Sequence, residues 1–421
     1  MRILVIGGGA REHAIAWRLA ASHRVTEVLC APGNPGIASI ARVLPIATAD
    51  CEALLRAARE HKVDLAVVGP EAALEAGVVD LFEAGGVPIV GPLKAAALLE
   101  SSKAFAKEIM GQSGVPTARY EVFTERAALE RHCAAQGAPL VLKADGLASG
   151  KGVFVVHEER EFAAALDALF GPLRADKVVA EEFLTGVEVS CIFACNGIEA
   201  IPLAPAHDYK RLRDGDQGPN TGGMGAVCPS PRITETELAW IQERCAAPVL
   251  QAMSERGTPF RGFLYAGLMV PVAAADRPHG IRVLEYNTRL GDPECQAILP
   301  RLSSDPLELL EWMAGMRREK PRLQWRPETS ACVVIASDGY PEAPKKGDLL
   351  EGLELATLVP GTALFHAATG RDSRGSLISA GGRTLSVVGF GTTCDEARER
   401  AYQAVDLIQL KGRRARRDIG L

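Results

Sequence analysis

Over residues 1–92, short apolar runs alternate with helical patterns. RILVI (2–6), TEVLCA (26–31), DLAVVG (64–69) and VPIVG (87–91) are continuous apolar stretches bounded by Gly or Pro, the signature of parallel strands buried on both faces. Stretches 11–21, 50–61 and 72–85 carry helical spacing between them. This repetition predicts an open parallel α/β sheet with its ligand crevice at the carboxyl ends of the strands. The pattern changes over 119–190. There EVFT, PLVLKA, GVFVVH (152–157) and VVAEEFL (178–184), with a helix near 158–170, read as a small α+β unit around a Gly-rich hairpin. Further on come a helix at about 233–256 and two strong strands, GFLYAGLMVPV and GIRVLEYN. After Trp325-Arg326-Pro327 a β-rich tail is expected (ACVVIASDGY, TALFHAAT, GRTLSVVGFG), closed by a helix at 394–409.

At 421 residues the chain exceeds one ordinary domain, and roughly 150 residues per domain gives about three. Hydrophobic content of 47% and charged content of 24% exclude a disordered or fibrous chain. No window approaches about 18 uninterrupted apolar residues, so no membrane span is expected. The apolar start stops at Gly7-Gly8-Gly9 and runs into Arg11-Glu12-His13. It is too short for a secretory signal, so a cytoplasmic protein is expected. A net charge of −5 argues against general nucleic-acid binding, and the basic tail Lys411, Arg413, Arg414, Arg416, Arg417 is expected to be a solvated end. Ten scattered cysteines with no C-x-x-C predict buried free thiols rather than disulfides or zinc.

Two glycine loops carry candidate chemistry. Gly7-Gly8-Gly9-Ala10-Arg11-Glu12-His13 follows a strand and opens a helix, where free N–H groups and a positive dipole end favour an anion. A dinucleotide fingerprint would place Gly at position 12 and an acid after the second strand. Glu12 and Cys30-Ala31-Pro32-Gly33-Asn34 stand there instead. A phosphate on a smaller ligand therefore fits better than NAD. The second loop, Lys143-Ala144-Asp145-Gly146-Leu147-Ala148-Ser149-Gly150-Lys151-Gly152, fails the Walker spacing and is flanked by strands on both sides. It reads as a flexible lid able to fold over a triphosphate, with Lys143 a fixed point charge at its base. The acid-ended strand Glu181-Glu182-Phe183-Leu184 can present backbone groups to an adenine edge and a carboxylate to a ribose.

Lys103 in SSKAF, the lysine and glycine lid, EEFL followed by Glu188, and LEYNTRLGDPE together resemble an ATP-grasp ligase. GGGAREHAIAW, APGNPG, VGPEAALEAGVVD, HDYKR, GPNTGGMGA and EYNTRLGDPE, in order along the whole chain, resemble more narrowly the glycinamide ribonucleotide synthetase family. The resemblance implies a multidomain α/β fold. Its expected parts are an N-terminal open parallel sheet (1–100), an ATP-grasp domain (101–325) with a small lid subdomain at about 119–190, and a β-rich C-terminal domain (326–421). A chain ending just after that domain is expected to carry no fused later activity.

The implied reaction joins glycine to 5-phospho-β-D-ribosylamine with ATP and Mg²⁺ or Mn²⁺, through a glycyl phosphate, in a monomer or weak homodimer. The family likeness places ATP at Lys103, Lys143, Gly146, Ser149, Gly150, Gly152, Glu181, Glu182, Phe183, Leu184 and Glu188. Glu285 and Asn287 alternate along one strand, share a face and are the expected metal ligands. The preceding strand, Gly262–Met269, offers no further carboxylate. Arg289, Asp292 and Lys143 are the expected catalytic groups, with Arg289 meeting the glycine carboxylate or the phosphoryl group. Asp292 and Glu294 flank a helix start and are expected to orient the amine. His207, Asp208, Lys210, Asn220, Thr221, Gly222 and Gly223 are assigned to the ribosylamine and glycine pocket, His207 as a general base. Gly8, Gly9, Arg11, Gly33 and Asn34 are assigned to the sugar phosphate.

Overall fold

The computed structural model describes residues 1–146, 152–273 and 277–421. The N-terminal apolar runs form strands Arg2–Gly7, Glu27–Pro32, Arg42–Val43, Leu65–Val68 and Ile89–Val90. All pair in parallel, with the first strand central between Glu27–Pro32 and Leu65–Val68. The chain therefore leaves the sheet in opposite directions on either side of Arg2–Gly7, and the crevice opens at Gly8-Gly9 and Gly69-Pro70-Glu71. The helix expected at 72–85 is split into Glu71–Glu75 and Val78–Ala84. Gly77 sits between them at φ +85°, a left-handed turn that ends the first helix.

Two antiparallel four-stranded sheets follow. One runs Tyr120–Phe123, Val178–Glu182, Leu140–Ala144, Val153–Val156; the other runs Glu199–Pro202, Val187–Gly197, Phe260–Val270, Arg282–Asn287. The helical region near 233–256 contains a widened turn, Gln242–Ala246, in which Ala247 N–H donates to Gln242 O. Pro248 just beyond it lacks the N–H that regular pairing would use. The C-terminal sheet joins Thr329–Ala336, Arg383–Gly391 and Thr362–His366 to two strands from the middle of the chain, His207–Asp208 and Gly225–Cys228. The start of HDYKR and the end of GGMGA are thus built into that sheet.

Eight of the ten cysteines are buried and two half-buried, all as free thiols. In the basic tail Lys411, Arg414 and Arg417 are exposed and Arg413 half-buried, in line with the solvated end expected; Arg416 departs from it. Arg416 is 1% exposed, ion-paired to Asp216 (2.7 Å) and Asp418 (2.6 Å) and lies over the Tyr209 ring, so paired carboxylates and an aromatic face offset its burial. No helix among the described residues is long and apolar enough to cross a membrane.

The N-terminal and C-terminal units meet at two buried histidines. His366 N–H donates to His13 Nδ1 (2.8 Å), and the His366 ring lies 3.0 Å from Thr369 Oγ1. Burial pushes His13 down to about 3 and His366 to about 4, with charge repulsion from His366 and Arg371, respectively, adding to the effect. Both folded values lie below the unfolded value of about 6.5, so the unfolded state binds more protons in that window. This contribution is complete above pH 6.5 and is lost as pH falls toward 4, at up to about 1.4 kcal/mol per pH unit per histidine. Asp208, whose pKa is raised, pulls the other way. The histidine share is therefore read as a difference: denaturant melts between pH 7 and 5 should show a shallower loss on acidification in His13→Gln than in wild type. Equal slopes would sink this account.

Candidate active site

Lys143 ends up between two elements. Its Nζ lies 2.8 Å from Glu181 Oε1 and donates to Leu284 O at 3.2 Å. Leu284 is the extra residue of a bulge between Gly267↔Glu285 and Leu268↔Val283, and a bulge frees backbone groups from the ladder. Glu181 Oε2 pairs with Lys107 Nζ at 2.9 Å, and Lys107 also donates to Thr117 Oγ1. Glu181 and Lys107 are each 2% exposed. Burial pulls Lys107 down to about 8, with Glu181 opposing. The sequence reading gave Glu181 to the nucleotide; in the structure its carboxylate lies between two buried lysines.

Lys103 is the first residue of helix Lys103–Gln112, which is capped by Ser102. Ser102 Oγ and Ala104 N–H both donate to the Asp145 carboxylate at 3.1 Å, and Lys103 Nζ donates to Gly146 O at 2.8 Å. The helix start is thereby stitched to the root of the glycine loop. Burial lowers the Lys103 pKa, with Glu285 opposing. Ser149 and Gly150 lie outside the described residues, and Gly146 and Gly152 lie within them. Glu182 pairs with Arg119 (2.7 Å), and the Phe183 ring meets His157 edge-on. Leu184 follows on the same segment.

Register sets the main face. Ser190 pairs with Gly267, which pairs with Glu285; Ile192 pairs with Tyr265, which pairs with Asn287. Directly opposed residues share a face, so Glu188, Ser190, Tyr265, Glu285 and Asn287 all project from one side of the sheet. Gly267 leaves the centre bare, since a Cβ there would stand 3.3 Å from Glu285 Cγ. Among the described residues no ion pair or side-chain hydrogen bond uses the Glu285 carboxylate or the Asn287 amide. Burial raises the Glu285 pKa, but Lys210, Lys143, Lys103 and Arg289 outweigh it and hold the group ionised. Two uncommitted oxygen donors on one face suit a hard divalent cation, which needs few protein ligands when phosphates and water complete its shell.

Around Ser190 lies a polar cluster. Tyr265 OH is 2.8 Å from Ser190 Oγ, and Ser190 Oγ donates to Glu294 Oε1 at 2.8 Å, with Asp208 Oδ1 at 3.5 Å. Burial pushes Asp208 up to about 7, against the attraction of Lys210. Lys210 Nζ sits 2.7 Å from Glu188 Oε2. Although burial opposes it, Glu188 and Asp208 keep Lys210 charged. His207 Nδ1 lies 2.9 Å from Glu188 O, and burial lowers its pKa. Thr221 N–H and Oγ1 both donate to Lys210 O at 2.8 Å, tying the loop back on itself. Asn220 is exposed on the ribbon opposite Arg211. Gly223, at φ +110°, packs so closely on Pro293 that a Cβ would fall 2.4 Å from Pro293 Cδ, so only glycine serves there. Arg383 reaches in from the C-terminal sheet and donates to Gly222 O and Asp292 O at 2.6 Å.

The N-terminal groups are committed internally. Glu12 Oε2 accepts from Gly9 N–H at 2.6 Å, so the chain's own carboxylate fills the anion slot expected of the first loop. Arg11, 6% exposed, donates to Glu12 and Leu290 O. Asn34 donates to Gly8 O and His366 O and accepts from Gly36 and Ile37 N–H; its amide shapes the loop. Gly8 packs on Gly33, where a Cβ would meet Gly33 O at 2.5 Å. Arg289 pairs with Glu100 (2.9 Å) and Glu71 (3.2 Å), and Asp292 accepts from Gln296 at 2.7 Å. Two Arg289 partners, Glu71 and Glu100, escaped the sequence reading, as did Lys107, Ser190, Tyr265 and Arg383. Spacing offered a signal for some: Lys107 lies one helical turn from Lys103, and Ser190 alternates with Glu188.

Family models for phosphoribosylglycinamide synthetase match the chain as its N domain (1–100), ATP-grasp (A) domain (101–295) and C domain (330–421). A phosphoribosylamine–glycine ligase of Xylella fastidiosa is 45% identical, covering 100% of this chain and 96% of that one. One from Brucella melitensis is 43% identical, covering 100% and 97%. The crystal structure of phosphoribosylamine–glycine ligase from Thermotoga maritima superposes with a TM-score of 0.85 at 34% identity over 100% of both chains. The biotin carboxylase domain of a Hydrogenobacter thermophilus 2-oxoglutarate carboxylase shares the fold at 16% identity, with a TM-score of 0.73. On these likenesses and the site geometry, the chain belongs to the phosphoribosylglycinamide synthetase family, an ATP-grasp family.

Proposed function

We propose that this chain joins glycine to 5-phospho-β-D-ribosylamine, consuming ATP and giving glycinamide ribonucleotide, ADP and phosphate. The observation that carries the reading is Lys143 meeting the bulged strand that bears Glu285 and Asn287, which brings a phosphate-binding cation and hard oxygen donors together. A carboxylate is a poor electrophile. Transfer of the γ-phosphoryl to the glycine carboxylate makes an acyl phosphate; the ribosylamine nitrogen then attacks its carbonyl carbon, phosphate leaves, and the nitrogen loses a proton. No enzyme nucleophile is required, and catalysis is positioning and charge neutralisation.

Lys143 and Lys103 hold the phosphates in this reading, with Glu181 and Lys107 fixing where the Lys143 ammonium sits. Glu182, Phe183 and Leu184 face the adenine and Glu188 the ribose. Glu285 and Asn287 would hold Mg²⁺ or Mn²⁺, which when bound neutralises charge developing on the β- and γ-phosphates. Arg289 and Asp292, held by Glu71, Glu100, Arg383 and Gln296, set the position of the loop between them. The test is ADP release with ATP, Mg²⁺ and glycine, with and without freshly generated phosphoribosylamine. Release that needs both substrates and yields glycinamide ribonucleotide is expected; release with glycine replaced by another carboxylate but not with glycine would sink the substrate assignment.

A further inference from the structure

We infer that the C-terminal segment Arg416-Arg417-Asp418 is a clamp on the catalytic unit: Arg416 and Asp418 are positioning residues that hold the ribbon between Lys210 and Thr221, and through it the residues assigned to glycine and ribosylamine. The inference rests on the ligase reading above and brings into it residues from the far end of the chain, none of which touches a substrate.

The ribbon needs holding. Strands Arg211–Arg213 and Gln217–Asn220 pair only with each other, and an isolated two-stranded hairpin is marginal in water. Its tip, Asp214-Gly215-Asp216, is exposed, so core packing does not fix it. Asp216 stands at φ +52°, in the left-handed region that residues other than Gly rarely adopt. Among the described residues, every hydrogen bond from the tip to a distant part of the chain goes to the tail. Arg417 N–H donates to Asp214 Oδ1 at 2.8 Å, Gly215 N–H donates to Asp418 Oδ2 at 2.8 Å, and Arg416 Nη1 donates to Asp216 Oδ1 at 2.7 Å. Arg416 Nη1 also donates to Arg211 O at 3.1 Å, while Nε and Nη2 grip the two Asp418 oxygens at 2.7 and 2.6 Å. One planar guanidinium thus ties tip, ribbon strand and tail together, a fork that a lysine ammonium does not reproduce. Burial opposes the ionised form of Asp418, yet Arg416 and the Gly215 N–H hold it down to about 2. The clamp is therefore fully charged at neutral pH.

The tail has a fixed base of its own. Tyr402 OH, on helix Cys394–Leu407, donates to Arg416 O and accepts from Ile419 N–H, and Arg398 donates to Ile419 O. Ile419 is fully buried against Gly225, where a Cβ would fall 2.6 Å from Ile419 Cδ1. The clamp acts on the active-site strand at two points. Arg416 covers the Tyr209 ring at 4.9 Å from its centroid, and Gly420 N–H donates to Tyr209 OH at 2.9 Å. Tyr209 stands between Asp208 and Lys210 in sequence. At the base of the ribbon, Thr221 is bonded to Lys210 O, and Thr221 Oγ1 in turn accepts from Gly223 N–H. A tip that swings free therefore moves Lys210 and the Thr221–Gly223 loop together.

The experiment uses Asp216→Asn and Arg416→Lys in the full chain. The Asp216 side chain is 71% exposed, so Asp216→Asn keeps the fold and decides the matter if Arg416→Lys does not fold. Tryptic cleavage of the native protein after Arg211 and Arg213 should quicken about tenfold in each variant, the size expected when one charge-assisted hydrogen bond no longer opposes local opening. The KM for glycine, for phosphoribosylamine or for both should rise about tenfold as well, while the ATP KM moves less than about threefold. A tail that only stabilises the fold predicts something else: a lower thermal midpoint and a smaller active fraction, with every KM unmoved. That result would overturn the inference. So would faster cleavage with both substrate KM values unchanged, which would leave the tail a brace for the ribbon alone. Absence of wild-type ADP release with glycine and phosphoribosylamine would sink the ligase reading instead, and unchanged cleavage in both variants would sink the clamp whatever the substrate.

Discussion

Glu285→Gln is expected to lower kcat/KM for ADP formation about a thousandfold, roughly 4 kcal/mol of transition-state stabilisation. The size follows from how little else on the face can do the same work. Glu285 faces Gly267 on the neighbouring strand, so no second carboxylate stands opposite it. Asn287 brings a neutral oxygen. Lys210, Lys143, Lys103 and Arg289 all favour the ionised form of Glu285 against its burial, so the wild-type group is a full negative charge at neutral pH. Gln keeps the shape and one oxygen but removes that charge. Folding should be spared, because no described residue pairs directly with the carboxylate. The thermal midpoint is therefore expected to stay within a few degrees of wild type, whereas the metal concentration needed for half-maximal activity should rise strongly. A loss of less than tenfold, or a loss explained by unfolding, would remove Glu285 from the metal role.

The open sheet of residues 1–92 was legible because parallel strands buried on both faces are unbroken apolar runs. Glu285 and Asn287 were legible because a strand's period of two puts alternate residues on one face. What escaped has a common cause. Asn34 looked like a ligand, yet its four hydrogen bonds are all internal, and only the folded loop reveals that. Glu12 looked like a defect in a dinucleotide fingerprint; it is the anion that fills the loop. Glu71 and Glu100 are more than 180 residues from Arg289, and no local pattern announces a pairing at that separation. Arg416, in a tail that reads as solvated, is buried because Asp216, 200 residues earlier, comes to meet it. Long-range pairing of charges is a property of the packed units, whereas hydrophobic period is a property of the segment.

Lys143 offers the second large effect, and one where activity and stability separate. Lys143→Met should reduce ATP turnover by two to three orders of magnitude, about 3–4 kcal/mol, because a preorganised cation at the phosphates is lost. It should also destabilise the fold. Glu181, 2% exposed, would keep only Lys107 as a cationic partner, and breaking a buried pair from one side costs about 3–5 kcal/mol. Removing the stranded charge as well, in Lys143→Met with Glu181→Gln, should recover much of that stability, since a buried pair replaced on both sides is often near neutral. It should recover none of the activity. Denaturant midpoints and ADP release on wild type, both single variants and the double variant close the cycle. Glu181→Gln alone is the informative corner. If Glu181 only positions Lys143, that variant should raise the ATP KM while keeping measurable turnover. If the Glu181 carboxylate contacts the nucleotide base directly, replacing ATP by a triphosphate with a different purine edge should change its effect. A double variant that regains activity along with stability would mean that Lys143 serves the fold rather than the phosphates.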